Sequence, residues 1–230
     1  AALGRYLNDQ TQVVFAVRLR GAADHPDAAR AAHAGALAEQ SGVSWVPYLD
    51  TAPFHGQVMQ LDASPIPLGD AEDPVPGSIV GLGWFCAKDL RASDRVAFDD
   101  DARDAYGMPA PRIHYRLTEH DHQSIAYAKE EIRRAAAALG EPIGTDPLVL
   151  PLGSSLHYQG TVRLGARDDG TSVCDPHSRV WGHDGLYVAG NGVIPTSTAC
   201  NPTLTAVALA VRGARDVVAR LHAPAEAAAR

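Results

Sequence analysis

Residues 185–205 read GLYVAGNGVIPTSTACNPTLT: a short apolar segment, a loop of small residues and the start of a helix in immediate succession. The pattern predicts a strand over residues 186–189, a loop over 190–200 and a helix over 201–221. Asn201 is a favoured N-cap and Pro202 suits the first helical position. A strand, loop and helix in this order presents a helix N-terminus to an anion in α/β proteins, so we predict an α/β fold. One helical face is apolar: Leu204, Val207, Ala208, Val211, Val218 and Leu221.

The rest of the chain alternates strand and helix signals. Gly140 is a natural stop for the helix predicted over residues 121–139. The many prolines of residues 47–78 favour loops and short strands that cover the surface. The remaining predictions are strands over 11–19, 78–85 and 112–116 and helices over 24–41 and 121–139.

Composition limits the class of protein. A chain of 230 residues with 46% hydrophobic residues can bury a core. The net charge of −7 without a basic block argues against nucleic acid or an anionic membrane as a partner, and no apolar run reaches the ~18 residues of a membrane span. A small polar substrate is the simpler expectation.

The three cysteines, Cys86, Cys174 and Cys200, lie far apart and form no CxxC pair. Neither a disulfide framework nor a zinc site is indicated, which fits a reducing, cytoplasmic location. The first residues show neither an initiator Met nor a signal-peptide pattern, so we expect the chain to begin within a longer protein, and secretion stays open.

Two polar residues are candidates for chemistry. His157 lies in LHYQGTVRLG (156–165), where glycines allow close backbone approach, although a buried structural imidazole fits that spacing as well. Asn201 closes the small-residue loop, but an N-cap role explains it equally. His120 and His122 flank one aspartate and are more typical of a solvated helix start than of a metal site, so no metal is predicted. No nucleophile elbow or P-loop is present.

Several motifs, taken together and in order, resemble the pyranose oxidases and C-glycoside 3-oxidases of the glucose-methanol-choline (GMC) oxidoreductases. The resemblance covers nearly the whole chain and implies a GMC-type flavoprotein. The closing motifs are HYQGTVRLG (157–165), SRVWG (178–182), GLYVAGNGVIPT (185–196) and NPTLT (201–205). The upstream ones are LGRYL (3–7), HGQ (55–57), DA (62–63) and DAYGMP (104–109).

The resemblance also implies a domain plan. Residues 1–11 would end a flavin-domain segment, 12–150 would form the substrate-binding domain with its sheet and helices, 151–222 would return to the Rossmann-like FAD-binding domain, and 223–230 would be a tail. The active site would lie between the two parts. The GxGxxG fingerprint that grips FAD is absent from these residues, so a preceding amino-terminal segment should supply it.

Site roles follow from the same resemblance. His157 would take the proton of a sugar hydroxyl while the carbon-bound hydride moves to the flavin, and Asn201 would orient that hydroxyl. An imidazole of ordinary pKa ~6.5 is largely neutral near neutral pH and can accept a proton. The residues expected to contact FAD are Gly190, Asn191, Asn201, Pro202 and Thr203. Those expected to contact the sugar are Gln57, Asp62 and Ser155.

Two departures leave the oxidised carbon open. The arginine that fungal members carry on the strand resembling residues 82–85 is missing, with Gly83 or Trp84 in its place, and Ser155 replaces a β-branched residue. Oxidation at carbon 2 of a free sugar and at carbon 3 of an O- or C-glycoside are both compatible with this pattern. Dioxygen or a quinone would reoxidise the flavin, and the protein could form a homo-oligomer. The alternative is a subunit that binds a sugar or a partner without catalysis.

Overall fold

The computed structural model describes residues 2–20, 42–61 and 79–222, without the side chains of residues 61 and 100. The predicted helix over 24–41 and the sugar-contact candidate Asp62 lie outside this part of the chain. The chain divides into two compact units. We call Gln10–Ala87 with Thr118–Ser155 the sheet unit, and Ala1–Asp9 with Lys88–Leu117 and Leu156–Arg230 the loop unit.

The sheet unit is built on a five-stranded antiparallel sheet of order β2-β3-β4-β1-β7. Two of its strands were predicted from sequence, at 11–19 and 78–85, and both are confirmed. Strand β4 is buried at every position because it lies between two other strands. The strands are β1 (Thr11–Leu19), β2 (Val43–Val46), β3 (Phe54–Leu61), β4 (Ile79–Cys86) and β7 (Gly140–Val149).

The proline-rich segment contains more regular structure than its composition suggests. Strand β3 pairs with β2 on one side and with β4 on the other. Pro47 follows β2 and Pro53 precedes β3, so neither interrupts a strand and β3 agrees with the predicted mixture of loops and short strands. Residues 62–78 of this segment lie outside the described residues. Gly56 permits the close packing, because a Cβ there would lie 2.7 Å from the Cβ of Val46 and 3.1 Å from the Trp84 ring.

Helix α1 (Glu119–Leu139) covers one face of the sheet and ends at Gly140, as predicted. It begins at a capping box, in which the Thr118 hydroxyl accepts the Asp121 N–H at 3.1 Å and the Asp121 carboxylate accepts the Thr118 N–H at 2.7 Å. The helix contacts β1, β4 and β7. Near its start, the Cys86 Sγ on β4 lies 3.9 Å from the Ser124 carbonyl oxygen. Its buried apolar residues are Ile125, Ala128, Ile132 and Ala136.

Loss of this cap has a measurable cost. Thr118→Ala removes the side-chain acceptor of the capping box, so the free energy of unfolding should fall by about 1 kcal/mol, measured by urea titration. Thr118→Ser retains the hydroxyl and should stay close to the wild type. Equal stability of the alanine variant and the wild type would mean that water replaces the cap at no cost.

The loop unit has less regular structure. Its hairpin consists of β5 (Arg95–Arg103) and β6 (Pro109–His114). The predicted strand over 112–116 overlaps β6 only as far as His114, because His114 pairs with Arg95, the first residue of β5. The single long helix described in this unit is α2 (Thr203–Leu221), and a 3-10 turn spans Asn191–Val193.

The predicted strand over 186–189 is not formed among the described residues. Tyr187 makes one isolated bridge, with Arg179. Two backbone hydrogen bonds flank this bridge, from Val180 N–H to the Leu186 carbonyl and from Val188 N–H to the Ser178 carbonyl, both 2.9 Å, so the pairing is too short to form a strand. The stripe predicted on α2 is also largely exposed: Leu204 is 82% and Leu221 77% accessible. The periodicity predicts which side of the helix is apolar but not what covers it.

A buried ion pair stabilises the loop unit. The Lys88 Nζ lies 2.5 Å from the Asp94 Oδ2, and their side chains are 0% and 3% exposed. The Lys88 Nζ also lies 4.7 Å above the centre of the Tyr115 ring. Elsewhere in the unit the thiol of Cys174 is buried, 3.3 Å from the Val162 carbonyl oxygen. No helix within the described ranges is long and apolar enough to cross a membrane.

The mixture of sheet and helix confirms the α/β class. The main difference between the units and the sequence-based boundaries is that residues 88–117 group with both terminal segments and not with 12–87; the two predicted boundaries also shift by two and five residues. The β5–β6 hairpin therefore belongs to the loop unit. The assignment of either unit to sugar or flavin binding stays a prediction.

Candidate functional site

The loop that carries His157 is paired with the first residues of the chain. Asn8 and Gln159 exchange two backbone hydrogen bonds, of 3.0 and 2.8 Å, and the Gly4 N–H donates to the Thr161 carbonyl at 2.8 Å. Gly160 has a φ of 89°, and a Cβ there would lie 2.0 Å from the Tyr6 carbonyl oxygen. Only glycine allows this approach of the two backbones.

His157 itself is half-buried, and its backbone N–H donates to the Asp9 Oδ1 at 3.2 Å. Burial lowers the pKa of the His157 imidazole below its ordinary value, while the Asp9 carboxylate acts in the opposite direction with a smaller effect. The net lowering favours the neutral imidazole near neutral pH. A neutral imidazole beside a carboxylate is equipped to accept a proton.

A second set of hydrogen bonds joins the His157 loop to residues 191–200. The Gln159 Nε2 donates to the Thr198 Oγ1 at 2.8 Å. The backbone N–H of Val162 donates to the Gly192 carbonyl at 3.1 Å, and that of Leu164 to the Val193 carbonyl at 2.9 Å. The two sequence motifs, far apart in the chain, therefore form one hydrogen-bonded assembly in the loop unit.

The N-terminus of α2 corrects the N-cap prediction for Asn201. Helix α2 starts at Thr203, its N-cap is Pro202, and no side chain caps it. The N-cap role of Asn201 is therefore wrong, because the chain enters the helix one residue later than propensity suggests. The exposed Asn201 amide is not used as a cap and can contact a ligand.

The same geometry leaves the N-terminus of α2 without a side-chain acceptor. The first N–H groups of a helix carry partial positive charge and favour an anion or developing negative charge. Gly190 has a φ of 92° at the entrance of the 3-10 turn, where no atom lies within 4 Å of a built Cβ. The 3-10 turn that begins at Asn191 contacts α2, whose N-terminus has no side-chain cap. The flavin contacts expected of Gly190, Asn191, Pro202 and Thr203 stay predictions.

The predicted sugar contacts are in the sheet unit. Gln57 on β3 is buried, and its Nε2 has no hydrogen-bond partner among the described residues. Ser155 is buried as well. The structure therefore brings His157, Asn201 and the cofactor candidates into one unit, whereas the sugar roles of Gln57 and Ser155 stay predictions.

The sequence did not identify two further candidate residues, His55 and Asp9. His55 shares a strand face with Gln57, and its buried Nε2 also has no described partner. Burial lowers the pKa of His55, whose ring lies 5.0 Å from that of Trp45. The two-residue spacing between His55 and Gln57 was a usable sequence signal for His55, because alternate residues of a strand lie on the same face. Asp9 gave no local signal, since 148 residues separate it from His157.

Comparison with known proteins identifies the family and supports the fold. Residues 92–210, more than half of the chain, match the family model described as GMC oxidoreductase. A formate oxidase of Aspergillus oryzae RIB40 aligns over 96% of this chain and 48% of its own, with a TM-score of 0.60 at 16% identity. A pyridoxine 4-oxidase aligns over 94% of this chain and 43% of its own, with a TM-score of 0.57 at 17% identity.

The family model defines the class of protein, a flavoprotein oxidoreductase. The chain belongs to the GMC oxidoreductases, a family of FAD-dependent enzymes. It is 67% identical over 222 residues to a C-glycoside 3-oxidase of Arthrobacter globiformis and 63% identical to one of Microbacterium trichothecenolyticum. Both alignments cover 96% of this chain but only 42% and 43% of the relative. A pyranose 2-oxidase of Tricholoma matsutake is 37% identical over 186 residues, 76% of this chain and 32% of that protein. The chain spans less than half the length of these relatives.

Proposed function

We propose that this chain is the sugar-oxidising part of an FAD-dependent enzyme that converts a secondary ring hydroxyl of a glycoside to a ketone. The carbon loses a hydride, and the hydroxyl loses a proton. FAD, when bound, accepts the hydride, and dioxygen or a quinone later takes the electrons. The observation that carries the proposal is the half-buried His157, held in one assembly with the uncapped start of α2.

Each residue of the assembly has a task in this reaction. His157 removes the hydroxyl proton as the hydride leaves, because burial keeps its imidazole neutral and ready to accept. Asn201 offers an amide N–H to the same hydroxyl oxygen without adding a charge. The N-terminus of α2 favours the negative charge that develops next to it during hydride transfer.

For the substrate we propose a glycoside, including C-glycosides, oxidised at carbon 3. Both C-glycoside 3-oxidases share more than 60% identity with this chain, against 37% for the pyranose 2-oxidase. The register of the sheet supports the same choice. Gly83 on β4 lies opposite Gln57 and has no side chain. The fungal members that this sequence resembles carry an arginine on the corresponding strand.

A preceding segment is also part of the proposal. The described units contain a base and a helix end for the flavin ring, but the sequence has no GxGxxG fingerprint for the dinucleotide. We expect residues amino-terminal to Ala1 in the natural protein to supply it. The coverage of only 42–43% of the C-glycoside 3-oxidases is consistent with this.

The test is an anaerobic titration of the purified full-length protein, followed through its visible flavin band. A C-glycoside should bleach the band more efficiently than glucose, and the product should carry a ketone at carbon 3. Exclusive formation of 2-keto-glucose would sink the glycoside proposal but not sugar oxidation. A protein that binds the glycoside without bleaching would instead be the non-catalytic subunit considered from the sequence.

A further inference from the structure

We propose that Asp9 is the positioning residue of His157: its carboxylate fixes the backbone of the base and stabilises the imidazolium that forms when the base takes a proton. The inference rests on the proposed function, since it concerns the residue expected to accept the sugar proton. Asp9 is a buried acid, only 3% exposed, and its Oδ1 accepts the His157 backbone N–H at 3.2 Å. A buried carboxylate is costly unless other groups stabilise it, so this placement needs a reason.

The backbone of Asp9 is clamped by Tyr115. The phenol hydroxyl donates to the Asp9 carbonyl at 2.8 Å and accepts the Asp9 N–H at 3.0 Å. The ring of Tyr115 is in turn held under the Lys88 ammonium, which is bound to Asp94. Two bonds to one side chain leave the Asp9 main chain little freedom, so its carboxylate has a defined position.

The residue before Asp9 ties the same segment to the His157 loop. Asn8 is fully buried, and its Nδ2 donates to the Lys88 carbonyl at 3.2 Å. Its backbone pairs with Gln159, two residues after the base. The His157 loop is therefore fixed at two points. The Asp9 carboxylate holds the His157 N–H, and the backbone of Asn8 holds that of Gln159.

Asp9 is the charged group that raises the pKa of the His157 imidazole. The buried Lys88 is neutralised by Asp94, and the Arg163 guanidinium lies 4.4 Å from the centre of the Tyr6 ring. Burial lowers the pKa of His157 and the Asp9 carboxylate raises it. Asp9→Asn keeps an oxygen acceptor for the backbone N–H but removes the charge. The pKa of His157 must then fall further below its ordinary value, which makes the imidazole a weaker base.

The first test measures the pKa of the His157 imidazole directly. In the flavin-loaded full-length protein with isotope-labelled histidine, the His157 resonance is assigned by its loss in His157→Ala and titrated by NMR. Asp9→Asn should titrate about one pH unit lower than the wild type, and Asp9→Glu should stay near the wild type. Asp184→Asn makes the same chemical change on an exposed loop residue and should leave the titration unchanged. Identical midpoints in Asp9→Asn and the wild type overturn the inference, whatever sugar the enzyme oxidises.

The second test separates charge from position. On the alkaline plateau, Asp9→Asn should reduce the rate of flavin reduction about tenfold, and the acid limb of the pH profile should move to lower pH. Tyr115→Phe keeps the charge but removes the clamp, so its rate should fall while the midpoint stays. If Asp9→Asn does not assemble with flavin, a wild-type rate in Tyr115→Phe together with a shifted midpoint in Asp9→Glu overturns the inference. A wild-type protein that no sugar reduces refutes the proposed function instead, and the NMR titration still decides on Asp9.

Discussion

Replacing His157 with alanine is expected to slow the reduction of the bound flavin by a glycoside by about three orders of magnitude. A methyl group cannot accept the hydroxyl proton. The hydride would then have to leave while the hydroxyl keeps its proton, which creates positive charge on the sugar. The effect should appear mainly in the limiting rate of flavin reduction, measured by anaerobic stopped flow, because binding of the sugar does not require the base. The loss should shrink at high pH, where hydroxide takes protons from the bound alcohol.

The matched control is His183→Ala, which removes an exposed imidazole from the same unit. Both variants should retain flavin, so the ratio of flavin to protein absorbance separates a catalytic defect from a folding defect. A His157→Ala protein that is fully loaded with flavin and reduced at the wild-type rate would exclude His157 as the base. It would also leave the Asn201 loop as the remaining candidate for activating the hydroxyl.

Lys88→Met should produce the largest loss of stability. It removes the ammonium from a pair whose side chains are 0% and 3% exposed, and it leaves the Asp94 carboxylate buried without its counter-ion. The backbone N–H of Arg116 still reaches Asp94, but only at 3.3 Å. The free energy of unfolding should fall by about 3–5 kcal/mol, measured by urea titration of the full-length protein.

Two controls test the cause of that loss. Lys129 forms an ion pair of the same length with Asp146, 2.5 Å, but the side chains are 25% and 51% exposed, so Lys129→Met should be almost neutral. The double variant Lys88→Met, Asp94→Leu removes both charges and should recover much of the stability. A double variant as unstable as the single one would mean that packing around Lys88, and not the uncompensated charge, is responsible.

The sequence predicted the elements whose signals are local. Helix α1 has its cap, its apolar spacing and its terminal glycine within one segment, and its bounds differ from the prediction by two residues. Strand β4 is apolar over its whole length, and β1 has an uninterrupted apolar run from Val13 to Val17. Strand β7 was missed because two glycines and two prolines, among them Pro142 and Pro147, argue against a strand, and only its long-range pairing with β1 overrides them.

The site was predictable to a similar extent. The motifs around His157 and Asn201 are contiguous, so their resemblance to a family identifies them without a structure. The N-cap assignment of Asn201 failed because residue preference describes an average helix start, whereas this helix has its N-cap one residue later, at Pro202. Asp9 and Tyr115 could not be found at all. Their partners lie 148 and 106 residues away, and no local pattern records such contacts.

The two buried thiols bear on how long such an enzyme lasts in use. Burial and the neighbouring Asp121 raise the pKa of Cys86 to about 12, and burial with Asp175 raises that of Cys174 to about 11. An enzyme that passes electrons to dioxygen releases hydrogen peroxide next to its own side chains, and peroxide oxidises thiolates far faster than thiols. Burial raises the pKa of Cys200 as well, so exposure distinguishes it from the other two. Oxidative inactivation should spare the covered Cys86 and Cys174 and begin, among the three cysteines, at Cys200.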